Sequence, residues 1–427
     1  MAIFGVLNTS GTAMNAHSVH MNQISTNIAN LNTTSYKDIE THYQTLKNRV
    51  GPLGNFFGVK TAEIRRVEEQ GLVAPTARYL DVAINGAGFF VLNTAVDGSG
   101  EQKYTRDGSF TGEVYVRGGD TNGDGLPDQG THLVTRSGVY VMGYKAAEDG
   151  TFSNTMSAID YSNEAIDPGR ATSKVELRGN VPATELQKIT YRLNVPVIQQ
   201  ITSPEGVPQT VMHGVRLAFT PRDAVPGGWT LVPSGDAGIA SVTTTPDEIK
   251  FTGEGKLDVA ASGGGITTLT ITYDGGQTQD VAVDLRQMTQ FSGGDDLELR
   301  QLIQDGYTAS VMRDVYFNSE GVMLGRFSNG VEKPLYKLPI ATFPAPQKLD
   351  LQNNNIYAAT EDAGKPTIKS LSPDDRISEF VGSALEYSNV RLEDQFSRMI
   401  ITQRAYSSAA TVFRTGDEMA KTIRDMF

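Results

Sequence analysis

The sequence predicts a multidomain α+β protein, with a long helix at each end and two or more mainly antiparallel β domains between them. Apolar residues at seven-residue spacing are confined to the two ends. The middle alternates short Val-, Ile-, Thr- and aromatic-rich runs with Gly, Asp and Asn turns. The length of 427 residues exceeds what a single hydrophobic core usually serves.

In the first segment Leu7, Met14, Met21 and Ile28 form one register, and Ser10, His17, Ile24 and Leu31 occupy the paired positions. In the last, Leu392, Phe396, Met399, Gln403, Tyr406, Ala410 and Phe413 alternate steps of four and three. Val412, Met419, Ile423 and Met426 continue on an adjacent stripe, so the seam shifts near Gly416. No proline interrupts either stretch, and each is expected to be a helix about 45–55 Å long at 1.5 Å per residue. The two seams predict a coiled coil between the ends. Paired helices still leave flanks uncovered, so the ends are expected to stay unordered until neighbouring copies supply contacts. A chain built this way reads as an assembly subunit. Between the ends, the clearest hairpin is Ile266–Tyr273, turning at Asp274-Gly275-Gly276 and returning through Val281, Val283 and Leu285. Another strand, Asp81–Ile84, turns at Asn85-Gly86 into Phe89–Leu92, and only residues 296–305 read as a helix in this region.

Composition narrows the functional classes. A net charge of -12 argues against nucleic acid as a partner, because phosphates call for a basic face. The absence of cysteine excludes disulfides, thiolate catalysis and Cys-ligated metal centres. No apolar run is long enough to span a bilayer, so membrane insertion is not expected. The first residues, Met1 to Leu7, lack the features of a cleavable secretory signal, and export by another route is the expectation.

Few local motifs suggest chemistry. Asp120, Asn122, Asp124 and Asp128 place oxygen donors at positions 1, 3, 5 and 9 of a calcium-type loop, with Gly125 at position 6 and Thr131 where a bidentate Glu is usual. The competing reading is a turn rich in Asx and Gly. His17 and His20, three apart on the first helix, could share a metal but lack a carboxylate to complete the set. The glycine clusters are not followed by Lys-Ser/Thr, so no phosphate loop is present. Scattered Asp and Glu read as solvated surface. Neither a catalytic constellation nor a cofactor site emerges, and the chain is not expected to be an enzyme.

The stretch Ala29-Asn30-Leu31-Asn32-Thr33-Thr34-Ser35-Tyr36-Lys37 resembles the Ala-Asn-x-x-Thr-x-Gly-Tyr-Lys/Arg signature of the axial family of the bacterial flagellum, the rod and hook proteins. Ser35 stands where the family has glycine, and a positive φ there would cost serine something. The C-terminal counterpart is similar: Ser388-Asn389-Val390, then Gln403-Arg404-Ala405-Tyr406, then Asp417-Glu418-Met419. In the middle, residues 81–90, 104–110, Leu133-Val134, Gly143-Tyr144, Gly325–Gly330, Ala341–Phe343 and Asn355-x-Tyr357 resemble an inner β domain of hook type.

The resemblance implies four parts. Residues 1–31 and 388–427 would be the terminal coiled coil, and 32–75 with 365–387 the connecting segments. Residues 76–144 and 301–364 would be the inner β domain, with 145–300 an outer β domain inserted into it. The size of that insertion implies hook rather than distal rod. By the same resemblance the subunit polymerises with itself into a bent hollow tube, a universal joint carrying motor torque to the filament. It would meet distal rod, hook cap and hook–filament junction proteins, and leave through the flagellar type III export apparatus to an extracellular hook. The alternatives are a distal rod subunit, or a secreted β-rich adhesin with oligomerising end helices. Lacking cysteine, the chain cannot form the Cys–Lys cross-links of spirochaete hooks.

Overall fold

Both ends form helices. The computed structural model describes residues 2–49, 55–116, 129–147, 150–161, 166–183, 189–202, 208–222, 225, 227–292, 296–371 and 378–426. Helix α1 spans Ala2–Ala29 and α2 spans Leu392–Asp425. They run antiparallel, with Leu7 against Gly416 at one end of the pair and Asn27 against Gln395 at the other. Glu393 and Asp394 in the first turn of α2 and Arg424 in its last suit the helix dipole.

The helix α1 has a second partner that the sequence reading did not supply. Strands β1 (Ile39–Arg49) and β2 (Asn55–Arg65) form an antiparallel hairpin in unbroken register, from Ile39 opposite Arg65 to Arg49 opposite Asn55. This hairpin packs along α1. A two-stranded ribbon is marginal alone, and so is a short helix pair. Packed together, the hairpin and the helix pair support each other through α1.

Among the described residues the β region holds three hydrophobic clusters, two of them packed on one large sheet system. A 15-stranded, mainly antiparallel sheet system runs from 310–317 through 322–327, 332–337, 140–146, 89–93 and 102–105 to 356–358. Strands from before residue 168 and after residue 309 therefore interleave in one sheet. Its core is aromatic: Phe90 meets Phe110 edge-on at 5.1 Å and stacks on Phe380 at 5.9 Å. Gly108 is fixed by close approach, because a Cβ there would coincide with the Val82 carbonyl.

The third cluster lies between a five-stranded and a four-stranded sheet formed by residues 174–304. The strand 174–180 pairs parallel with 278–289 and antiparallel with 298–304. The expected hairpin is present, with Ile266–Tyr273 paired to Thr278–Thr289. The chain passes between the two bodies twice, at Arg170 and Tyr307, and these residues are bridged to each other. Strand 152–158 pairs with 140–146, and 166–167 with 310–317. Residues 152–158 and 166–167 thus share the first sheet, whereas the sequence reading had placed them with the outer part.

One local expectation is corrected. Residues 296–305 do not form a helix; Glu298–Gln304 is a strand. Arg178 pairs with Gln301 and Gly179 with Leu299, so Arg300 is an extra, bulged residue. The bulge brings Leu299 and Leu302, three apart, onto the same core. That spacing imitates helical periodicity. Likewise Val82–Gly86 pairs with Ser378–Gly382 and not with the strand that follows it.

Candidate functional site: a polar junction and an outward apolar stripe

The signature after α1 folds into a compact turn whose side chains weld the two ends of the chain to the β region. Asn30 donates to the Thr26 carbonyl at 2.9 Å, and Thr33 donates to Asn30 Oδ1 at 3.0 Å, closing the helix C-terminus. Ala29, the last residue of α1, is exposed. Ser35 has φ 55, in the left-handed region, and is fully buried. Its hydroxyl donates to the Arg106 carbonyl at 2.9 Å, a bond glycine could not make and one that offsets the strain.

Beyond Ser35 the network divides in two. On one side, Lys37 Nζ reaches Glu386 Oε1 at 2.7 Å and Arg106 Nε reaches Glu386 Oε2 at 3.0 Å, with both partners almost wholly buried. Gly71 N–H donates to the same carboxylate at 2.8 Å. Two cations share one anion, and their remaining N–H groups donate to the carbonyls of Glu69, Gly86 and Gly88. Burial and the neighbouring Arg106 push the Lys37 ammonium down to about 8, against the pull of Glu386. One carboxylate thus ties together residue 37, the 69–71 and 86–88 turns, residue 106 and the approach to α2.

On the other side stands Asn27, wholly buried on α1. Its amide donates to Asp38 Oδ1 at 2.6 Å, to the Ile39 carbonyl at 2.9 Å and to Gln395 Oε1 at 3.3 Å. Its carbonyl accepts from Tyr36 Oη and from the Ile39 N–H, both at 3.1 Å. Gln395 of α2 donates to Asp38 Oδ1 at 3.2 Å, and Asn389 accepts from the Asp38 N–H at 2.7 Å. Burial raises Asp38, opposed by Arg398 and Arg66. Burial also pushes Tyr36 up to about 12. A fully satisfied buried network of this kind fixes one geometry, because each lost partner leaves a stranded polar group. Glu386 and Asp38 are therefore not solvated surface, as the sequence had suggested for its acidic residues.

The seam residues are placed as follows. On α1, Ile24 is buried, while Leu7, Met14, Met21, Ile28 and Leu31 are half-buried. On α2, the residues buried against α1 are Gln395, Thr402 and Gly416. With the half-buried Ala409 they form a seven-residue series of small and polar side chains. The larger apolar side chains are left uncovered: Leu392, Phe396, Tyr406, Phe413, Met419 and Ile423 are all exposed, Phe396 by 49% and Met419 by 57%. Met399 and Ala405 are half-buried, and Gln403 and Arg404 exposed. Seven-residue spacing was legible in the sequence, but two such series coexist on α2. The greasier one is not the one that meets α1.

The remaining candidates are quickly placed. Asp120, Asn122, Asp124 and Asp128 lie outside the described residues. His17 and His20 converge on the Tyr43 hydroxyl rather than on a carboxylate. Among the described residues no group of three or more His, Asp or Glu side chains is placed to hold a metal, and no helix is long and apolar enough to cross a membrane.

The chain is similar to known proteins at both ends and along its length. Residues 7–37 match the family described as flagella basal body rod protein, and residues 381–426 match the flagellar basal body rod FlgEFG protein C-terminal family. Over nearly the whole chain it is similar to flagellar hook proteins FlgE. The Rhizobium meliloti (strain 1021) protein is 27% identical, covering 99% of each chain. The Salmonella typhimurium protein is 26% identical, over 96% of this chain and 97% of its own. A solved flagellar hook protein of Helicobacter pylori superposes with a TM-score of 0.45 at 14% identity, over 73% of this chain and 100% of that one. With both ends matched by the rod families and almost every residue between them aligned to hook proteins, the chain is similar to flagellar rod and hook proteins from end to end.

Proposed function

We propose that this chain is a structural, non-enzymatic subunit of the bacterial flagellar hook that polymerises through the outward apolar stripe of α2. The observation that carries the polymerisation is the exposure of Phe396, Ile400, Ile401, Phe413 and Met419 along one helix whose contacts with α1 are polar or small. Large apolar side chains left exposed along a folded helix mark a surface that another molecule covers. Near-full-length similarity to hook proteins makes that other molecule a further copy of the same chain.

In this reading the helix pairs of successive copies gather about the axis of a hollow tube, the terminal coiled coil of the assembly. The large sheet forms an inner domain, and residues 174–304 form the outer one. The polar junction at Asn27 and Glu386 holds each helix pair at a set angle to its own β region, while contacts between β regions of different copies slide as the tube bends. The tube then serves as a universal joint between motor and filament. Its neighbours at either end are the distal rod, the hook cap and the hook–filament junction proteins. Its subunits reach the extracellular hook through the flagellar type III export apparatus. Deleting the gene tests the reading: cells should keep rods and lose hooks, and the intact gene should restore them. Hooks persisting in the deletion strain would refute it.

A further inference from the structure

Where α1, α2 and the β1–β2 hairpin meet, two imidazoles share one phenol. His17 Nδ1 lies 3.2 Å and His20 Nδ1 2.7 Å from the Tyr43 hydroxyl, with both rings edge-on to the tyrosine at 5.6 and 5.7 Å between centroids. Thr402 of α2 approaches His20 Nδ1 at 3.2 Å, and its own proton goes to the Arg398 carbonyl at 2.8 Å. Toward His20 the threonine oxygen can therefore only accept, so His20 carries the proton on Nδ1. The same N–H reaches the Tyr43 oxygen, which leaves the Tyr43 O–H to donate to an unprotonated His17 Nδ1. The chain of bonds has one direction, and it requires an unprotonated His17 Nδ1, while His20 keeps its Nδ1–H in either charge state.

The surrounding charges leave an imidazolium without a free partner. On α2 the nearest charge is Arg398, a cation, 3.9 Å from Asp38 and 3.4 Å from Glu40. On β1, Glu40 is already held by Arg66 at 2.7 Å, and His42 stands 3.7 Å from the same carboxylate. On β2 the residue opposite Tyr43 is Thr61, which carries no charge. On α1 each histidine's charged neighbour is the other histidine. Burial, and for His20 also Arg398 and His17, holds both below the usual histidine range, with Glu40 opposing at His20.

We propose that the His17–Tyr43–His20 contact is an acid-sensitive latch that holds the β1–β2 hairpin against the terminal helices and releases it when the imidazoles gain protons. Protonation of His17 sets an N–H against the Tyr43 O–H, and protonation of both histidines places two cations beside Arg398. The hairpin has two strands and relies on α1 for support, so loss of this contact frees the ribbon while the β region stays folded.

Hydrogen exchange of the full-length monomer, corrected for the intrinsic pH dependence of exchange, tests this. Protection of the amides in 39–49 and 55–65 should fall on the order of tenfold between pH 7.5 and 5 as this local contact opens. Protection in the 266–289 hairpin should not change. In the His17→Gln/His20→Gln protein the hairpin's protection should be independent of pH. Tyr43→Phe should lower protection at pH 7.5 and flatten the response. Unchanged hairpin protection in the unaltered protein, or an equal fall in the double variant, would overturn the proposal.

Discussion

At the scale of single residues, the junction rests on polar groups that have no access to water. Glu386 neutralises two buried cations, and removing one partner of a buried ion pair costs about 3–5 kcal/mol because the others are left uncompensated. Glu386→Ala should lower the free energy of unfolding by that amount, read from denaturant titration of the monomer. Lys37→Met in the same background should recover part of it, since it removes one of the stranded charges. The tyrosines set a different limit. Burial pushes Tyr36, Tyr161, Tyr273 and Tyr357 up to about 12 from an ordinary value of 10.0. The unfolded chain loses these protons first, so their contribution is complete below pH 10 and lost as the pH climbs toward 12. Melting temperatures should therefore fall steeply above pH 10, with phenolate absorbance appearing together with unfolding rather than before it. Of the junction, the signature marked Asn30, Thr33, Ser35, Tyr36 and Lys37 but not the residues they meet. Asn27, Asp38, Gln395 and Glu386 are ordinary polar residues in sequence, and only the fold brings 27 beside 395 and 37 beside 386.

At the scale of elements, α2 carries two seven-residue series with different duties. The small and polar one, Gln395, Thr402, Ala409 and Gly416, accepts α1 closely; a Cβ at Gly416 would lie 3.1 Å from Leu7. The apolar one faces out. Phe396→Asp with Phe413→Asp should leave the monomer's circular dichroism and melting unchanged, because both side chains are exposed. It should abolish sedimentable polymer, since each buried aromatic contributes about 1.5–3 kcal/mol to every contact it fills. Periodicity gave the helices their existence and length, and alternation with turn residues located the 266–285 hairpin. It misread 296–305 because a bulge at Arg300 converts a strand's period into a helix-like one. It also passed over β1 and β2, whose support is a polar helix face rather than an apolar partner strand.

At the scale of the whole molecule, the β region has its own cores and the ends have theirs. A chain lacking 1–30 and 390–427 should be soluble, monomeric and β-rich, with its β clusters folded. The hairpin 39–65 should lose its protection in that fragment, because α1 is its support, and limited proteolysis should cut there first. Collapse of the whole fragment would mean that the helices contribute to the β cores. The division between end helices and β middle was plain from the sequence. The finer partition was not, since only their partners assign residues 152–158 and 166–167 to the first sheet.

The paired crossings at Arg170 and Tyr307 have a mechanical consequence. Tension entering through the helices and the Glu386 junction travels along the large sheet and can return without crossing residues 174–304, whose two attachment points sit side by side. That body hangs outside the load path, as a flange does on a shaft. Its size and surface are free to vary between relatives while the strength of the shaft stays the same.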